Sequence, residues 1–578
     1  MSALLRPKSS DSEDTPLLGG TSNHFTGHNI VAEDPEGAQD GVKQAEAITQ
    51  VWSKKSLVTA YVLMFLLYFV NAFQTSITSN LSAYVTSGFE SHSLIPVIYI
   101  VSSVMSSATY MPVAKILNVW DRSIGFLIMV AFATLGLVLS ATCTGITTYC
   151  ISQVFYTVGF SGMIFSIDVI TADTSSLRDR GLAYAFTSSP YIITAFAGSA
   201  ASERFYAYNW RWAYGSFAII LPIVALPMFG LLQYNRHKAK QMGLLPKNEH
   251  SDRTLAQAIV FYAIELDLLG VFLLATGLVL FLLPFTIAGS TATGELKSPY
   301  MIAMLATGIA CLVAFVLTER FIAPVPFLPW ELLASRTVLG ACLLGTSYQI
   351  AFYCWNEYYT SYLQVVYGTS ISTAGYISSI FNIISGIWLL AVGFLIKKTS
   401  RYRWLLFWAV PIYMLGVTMM IYFRQPGWPV GYLIMCQVLI AFGGSTMISC
   451  QQVAVSAASD HNNIASALAF LGVFGSMGGA VGSSISGAIW TNTLPGALKR
   501  LLPESVQGEW RIIYESLDVQ LSYPVGSPVR NAIAFAYAET QSKMLVAGTA
   551  IMSLALLWMF LIKDIRLSKD GKDKGVLF

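Results

Sequence analysis

One pattern limits this chain more than any other. A run of about twenty apolar residues returns some fourteen times, near 57–77, 94–117, 124–144, 149–172, 181–201, 213–232, 266–288, 300–318, 337–356, 372–396, 404–422, 430–451, 465–489 and 544–562. A helix crosses the hydrocarbon layer in about 20 residues. With no water there to serve the backbone, a chain that crosses repeatedly must close its hydrogen bonds within each helix. The expected fold class is therefore an all-α membrane protein of about 14 transmembrane helices. The repeating unit is plainest between Gln153 and Trp212, where two apolar runs flank a short elbow holding Asp173, Arg178, Asp179 and Arg180.

Composition agrees. Of 578 residues 55% are hydrophobic and 11% charged, against about 25% charged in soluble proteins. A net charge of +3 offers no basic arm for nucleic acid. The seven cysteines form no CxxC and read as packing residues. The six histidines fall in the leading tail or in polar links, so no imidazole pair stands in a path for bare metal ions. No cofactor and no protein-bound metal is implied. There is no GxxxxGK[ST], nucleophile elbow or HExxH. The chain reads as neither an ATP-driven machine nor an enzyme, and a gradient is left as the energy source.

Five segments follow. Residues 1–55 are polar and are expected to form a disordered tail. Its Glu13–Leu18 stretch has the form of an acidic dileucine signal, which makes a sorting adaptor a candidate partner; a chance match in a tail is the equal alternative. No apolar core near Met1 marks a cleaved leader. Residues 56–232 hold six spans, 233–336 a basic link and two further spans, and 337–562 the rest, with a long polar link over 490–542; 563–578 are a second tail. With both termini inside, 25 of the 34 Lys and Arg lie on inner segments. Both ends are therefore expected in the cytoplasm, with the plasma membrane or an endosomal vesicle as location. Within the long link, EWRIIYESL and NAIAFAYAET have helix-like apolar spacing. They suggest two short helices resting on the protein, as a ligand-touching lid or as a plain surface cap.

Polar residues three or four apart mark what lines the middle. Tyr61, Tyr68, Asn71, Thr75 and Thr78 share a face of the first span, and Gln153, Tyr156 and Phe160 a face of the fourth. Ser188, Tyr191 and Thr194 do so in the fifth, Gln349, Tyr353, Asn356 and Thr360 in the ninth, and Ser378, Asn382 and Ser385 in the tenth, with Trp388 a turn beyond. One stripe alone is often interhelical glue; several together point to a shared hollow. Its expected ligand-facing set is Tyr68, Asn71, Tyr191, Tyr353, Asn356, Asn382 and, from the long link, Tyr537. Asp168 and Glu357 are the carboxylates placed for reversible protonation, unless they are solvated helix caps. In the thirteenth span Gly475/Gly479 and Gly478/Gly482 have GxxxG spacing, which brings helices close.

These residues carry a resemblance. Asn118 to Gly125, with Asp121 and Arg122, resembles the inner-loop motif of the major facilitator superfamily, although the glycine falls one residue late. Asn209-Trp210-Arg211-Trp212 is similar to the signature of its fourteen-span branch. Asp173 to Gly181 (DTSSLRDRG) and Tyr537 to Gln541 (YAETQ) resemble the fungal siderophore–iron transporter family over about residues 50–565. The resemblance implies two six-helix bundles plus two extra helices, alternating access, and import of a ferric siderophore, of hydroxamate type such as the ferrichrome or fusarinine class, by proton symport. It also implies that the long link takes part in uptake. Asp121, Arg122, Asp173, Arg178 and Arg180 would then form an inner gate. The alternative is a drug or toxin:proton antiporter.

Overall fold

A computed structural model describes residues 48, 51–119, 121–175, 179–244, 254–288, 296–324, 327, 330–459 and 464–567. Arg178 of the expected gate and the Glu13–Leu18 signal lie outside the described residues. Helices account for the architecture: α1 (Lys54–Gly88), α2 (Ile95–Val119), α3 (Arg122–Thr142), α4 (Ile146–Thr174), α5 (Arg180–Ser188), α6 (Tyr191–Tyr208) and α7 (Trp212–Gln241) make the first bundle. A short α8 (Leu255–Glu265) leads to the extra pair α9 (Leu268–Ile287) and α10 (Pro299–Phe321). The second bundle follows a one-turn α11 (Trp330–Ala334). It comprises α12 (Arg336–Asn356), α13 (Tyr359–Tyr367), α14 (Ile371–Ser378), α15 (Ile380–Thr399), α16 (Arg403–Phe423), α17 (Val430–Ala458), α18 (Ile464–Leu501), α19 (Trp510–Glu515), α20 (Leu517–Ser522), α21 (Pro528–Met552) and α22 (Ala555–Leu561).

Thirteen of the described helices, some joined across one- or two-residue breaks, are long and apolar enough to cross a membrane. The expected fifth span supplies the fourteenth. Its helix is interrupted at Ser189–Pro190, so neither α5 nor α6 reaches that length alone with sufficient apolarity. A proline has no N–H for the helical ladder and crowds the preceding turn. The protein is thus a multi-pass membrane protein of about fourteen spans.

Charge and small residues fix the helix ends and crossings. Asp121 caps α3 by accepting from the Ser123 amide at 3.0 Å, satisfying one of the free N-terminal donors. Arg211, its guanidinium 4.6 Å from the Trp210 ring centre, donates to the Cys143 and Ala141 carbonyls at 2.5 and 3.3 Å and so closes the far end of α3. The two bundles meet along two seams. On one, α2 lies against α18, with Ser107 donating to the Val473 carbonyl at 3.0 Å. On the other, α5 and α6 lie against α15.

The extra pair rides on the outside. Only 22% of the most apolar stretch of α10 is covered, against 67% for α4 and for α17, which puts the latter two at the centre and α10 toward lipid. Helix α9 bridges the first seam, where Ser484 donates to the Leu282 carbonyl at 3.0 Å.

The long link differs from its expectation. Helix α18 continues to Leu501, and α21 begins at Pro528, so the intervening segment is 502–527. EWRIIYESL does form short helices, α19 and the start of α20. NAIAFAYAET does not rest on the surface as a separate helix; it is the opening of the long final span. Ser527 caps that helix by accepting from the Arg530 amide, and Pro528, at its first position, loses no bond there.

Candidate functional site

Between the bundles lies a cavity of about 700 Å³, within the 300–1,000 Å³ range of small-molecule sites. From the first bundle α1 contributes Asn71, Thr75 and Thr78, α4 Gln153, Tyr156 and Asp168, and α6 Tyr191. From the second, α12 contributes Gln349, Tyr353 and Asn356, with Glu357 just beyond it, and Ser378 and Asn382 come from α14 and α15. A polar stripe on a mostly apolar helix must turn from lipid, and here the stripes turn to the same place.

Of the expected ligand-facing set, Asn71, Tyr191, Tyr353, Asn356 and Asn382 line this cavity. Asn71 donates to the Tyr191 hydroxyl at 3.0 Å, so part of the set is mutually oriented. Tyr68 stands one layer back, donating its hydroxyl to Asp168 Oδ1 at 2.5 Å. Tyr537 is elsewhere. It is fully buried, donates to Gln520 Oε1 at 2.6 Å, and packs edge-on to Trp490 at 5.0 Å. Its place is beneath the 502–527 segment because α21 carries it inward from Pro528. Ser385 and Trp388 also leave the stripe: Ser385 donates to the Asn382 carbonyl at 3.1 Å and Trp388 Nε1 to Thr446 Oγ1 at 3.0 Å.

Asp168 and Glu357 are the two carboxylates in the lining, one from each bundle. Glu357 stands at the break between α12 and α13. Neither of its oxygens has a hydrogen-bond partner among the described residues, although the Ser483 and Ser486 hydroxyls lie beside it.

The lining also holds residues that sequence reasoning missed, among them Tyr99, Ser102 and Ser103 of α2 and Gln451 and Gln452 of α17. The adjacent glutamines, which follow Cys450 and continue the polar positions Ser445, Thr446 and Ser449 of that span, were the available signal.

At the elbow, the expected gate residues divide. Arg122 pairs with Asp173 at 3.2 Å, and Asp121 with Arg236 of α7 at 2.9 Å, both within the first bundle. Arg180 is 1% exposed and donates to the Ala172 carbonyl at 3.0 Å. A cation there answers the free carbonyls and negative pole of the end of α4. A pair not foreseen crosses between the bundles, Asp179 with Lys397 of α15 at 2.6 Å. Beside it the backbones touch: a Cβ on Gly393 would meet the Gly181 carbonyl oxygen at 3.1 Å. At the opposite end Tyr84 donates to Gln364, and the 502–527 segment lies against the first bundle through Leu517 N to Ser87 Oγ at 3.0 Å and Tyr206 to Asp518 at 2.9 Å.

Two bundles sharing one lined hollow, with contacts between them at either end, have the architecture of a carrier of the major facilitator type. The Major Facilitator Superfamily profile matches residues 64–483. A bacterial homolog of the human lysosomal transporter Spinster, solved in an inward-facing and occupied conformation, has the same fold: TM-score 0.53 at 13% identity, covering 88% of this chain and 97% of that one. The particular branch is set by closer relatives. MFS siderochrome iron transporter D of Aspergillus fumigatus is 70% identical over 565 residues, 98% of this chain and 94% of its own length. Siderophore iron transporter mirB of Emericella nidulans is 49% identical over 541 residues, 93% and 89%. This chain belongs to the siderophore–iron transporter family of the major facilitator superfamily, a family of transporters rather than enzymes.

Proposed function

We propose that this protein imports ferric siderophores of hydroxamate type, with protons entering alongside, by alternating access of the cavity between its bundles. The observation that carries the reading is the makeup of the cavity. Its polar lining is tyrosine, asparagine, glutamine, serine and threonine from both bundles, with one carboxylate on each side. A ferric hydroxamate reaches a carrier with its metal already wrapped. What recognises it is aromatic area and neutral hydrogen-bonding groups rather than ligands to iron. Asn71, Tyr191, Tyr353, Asn356 and Asn382 form that surface. Tyr68 acts through Asp168, and Tyr537 supports the packing under the 502–527 segment.

Asp168 and Glu357 are the proton-carrying pair in this reading. A carboxylate facing a cavity inside a membrane protein is costly unless paired or functional. With one on each bundle, proton loading of either affects the rocking equilibrium through unequal affinity for the two states. The Asp179–Lys397 pair holds the elbow side closed, with Arg122–Asp173 and Asp121–Arg236 keeping the first bundle's elbow rigid. The basic excess puts the elbow and both termini in the cytoplasm, in a plasma or endosomal membrane, with residues 56–232 and 337–562 as the rocking halves.

The test is uptake of radio-iron presented as ferric hydroxamates by cells with no other carrier. Accumulation should depend on this chain, rise as the outside is acidified and collapse with a protonophore. Outward movement of preloaded chelate, or resistance to toxic amphiphiles without iron uptake, would decide for the antiport reading.

A further inference from the structure

The ninth span is broken where it carries its carboxylate. After α12 ends at Asn356, Tyr358 has φ −102° and ψ 15°, away from helical values, before α13 resumes. Breaks inside membrane spans persist where other groups satisfy the backbone around them. Two side chains from distant helices do so here. Gln541 of α21 donates its Nε2 to the Tyr358 carbonyl at 3.1 Å. Arg424, just past the end of α16, donates Nη1 to the Trp355 carbonyl at 3.3 Å. Its guanidinium is fully buried and lies over the rings of Tyr359, Tyr362 and Trp355 at 4.4, 4.8 and 5.7 Å from their centres. A buried cation held by aromatic faces, with its donor aimed at a backbone carbonyl, is an expensive device for packing alone.

We propose that Arg424 and Gln541 are positioning residues for transport, gripping the break from both sides and thereby fixing where the Glu357 carboxylate stands in the cavity. The proposal rests on the reading of Glu357 as a proton carrier. The titratable groups facing Glu357 are Tyr99 of α2 and Tyr353, Cys354 and Tyr358 of its own span; Ser483 and Ser486 of α18 face it as hydroxyls, and His92 lies one ring further off, against Tyr358. Arg424 and Gln541 are absent from the cavity lining, so their replacement removes no cargo-facing side chain.

The test compares the pH profile of ferric-hydroxamate uptake, together with KM and maximal rate, in the full-length wild type, Gln541→Leu, Arg424→Lys and Glu357→Gln. Gln541→Leu removes a second bond only, since the Tyr358 carbonyl also accepts from the Tyr362 amide at 2.9 Å. That variant therefore keeps the experiment decisive if an Arg424 variant fails to reach the membrane. Arg424→Lys keeps the charge but loses the planar face. Both are expected to lower the maximal rate more than they raise KM, by up to about 100-fold, as misplacement of an acting group does, and to displace the midpoint of the pH profile. A profile superimposable on wild type in Gln541→Leu, at whatever rate, overturns the proposal. Glu357→Gln should flatten the profile. If it keeps the wild-type shape, the proton-carrier reading itself falls, an outcome distinct from failure of the grip.

Discussion

Lys397 of α15 and Asp179 of the elbow, 218 positions apart, form a 2.6 Å ion pair that joins the two bundles on one side of the cavity. Both side chains keep part of their surface open, 42% and 25%, so the pair is worth no more than about 1 kcal/mol to stability. Its weight falls on the rocking equilibrium instead. Lys397→Asp is expected to reach the membrane in normal amount and to lose most uptake. Combining it with Asp179→Lys should recover a substantial part. A double variant no better than the single one would show that the pairing does not govern transport.

Tyr68 supplies Asp168 with its hydrogen bond inside the described protein. Tyr68→Phe removes one donor and no volume to speak of, and a hydrogen bond to a charged acceptor contributes about 1.5–3 kcal/mol. Uptake should fall about tenfold while surface expression is retained, and Asp168→Asn should be more severe. Radio-iron uptake normalised to surface protein checks both; wild-type rates in Tyr68→Phe would remove the bond from the mechanism.

Within the glycines of α18, Gly478 and Gly482 should behave differently from Gly475, while Gly479 is crowded by the Tyr353 ring at 3.2 Å. A Cβ on Gly478 would meet the Thr346 carbonyl oxygen at 2.7 Å, and one on Gly482 the Ile350 carbonyl oxygen at 2.7 Å, both backbone atoms that have nowhere to go. Gly475 has nothing within 4 Å and faces the cavity. Gly478→Val is expected to lower the melting temperature of the purified protein, at an overpacking cost of about 1–3 kcal/mol. Gly475→Ala should leave melting unchanged.

Tyr537→Phe deletes the buried bond to Gln520. The expected cost is about 1–3 kcal/mol, because Gln520 Oε1 is left without its donor. Thermal unfolding in detergent should register that loss. The KM for ferric hydroxamate should not change, since Tyr537 does not line the cavity.

Glu515, in the segment outside the spans, accepts from the Ser93 amide at 3.3 Å where the segment meets the first bundle. Burial holds its carboxyl above the usual glutamate range, partly offset by the Ser93 donors and by Arg511. A raised folded-state value means that the docked form binds protons more readily than the undocked one. Docking is therefore strongest in acid and weakens as pH rises through the raised value. The hydrogen-exchange protection factor across 502–527, taken after the intrinsic pH dependence of exchange is divided out, should fall over that window in wild type and show no such step in Glu515→Gln.

The sequence by itself determined what the solvent of each segment must be. Twenty apolar residues in a row admit one local structure in lipid, and a periodic polar stripe admits one orientation, so the spans, the elbow and the cavity position of five of the seven residues expected to face a ligand were legible. Local periodicity does not say which stripe meets which. Whether a residue such as Tyr537 faces a ligand or a neighbour depended on where its helix begins, and Pro528 lies well before the apolar run that marks that span. Only the tertiary structure paired Asp179 with Lys397 and brought Arg424 and Gln541 to the break at Glu357. Such partnerships are set by the packing of helices remote in sequence, and neither partner carries a local mark of the other.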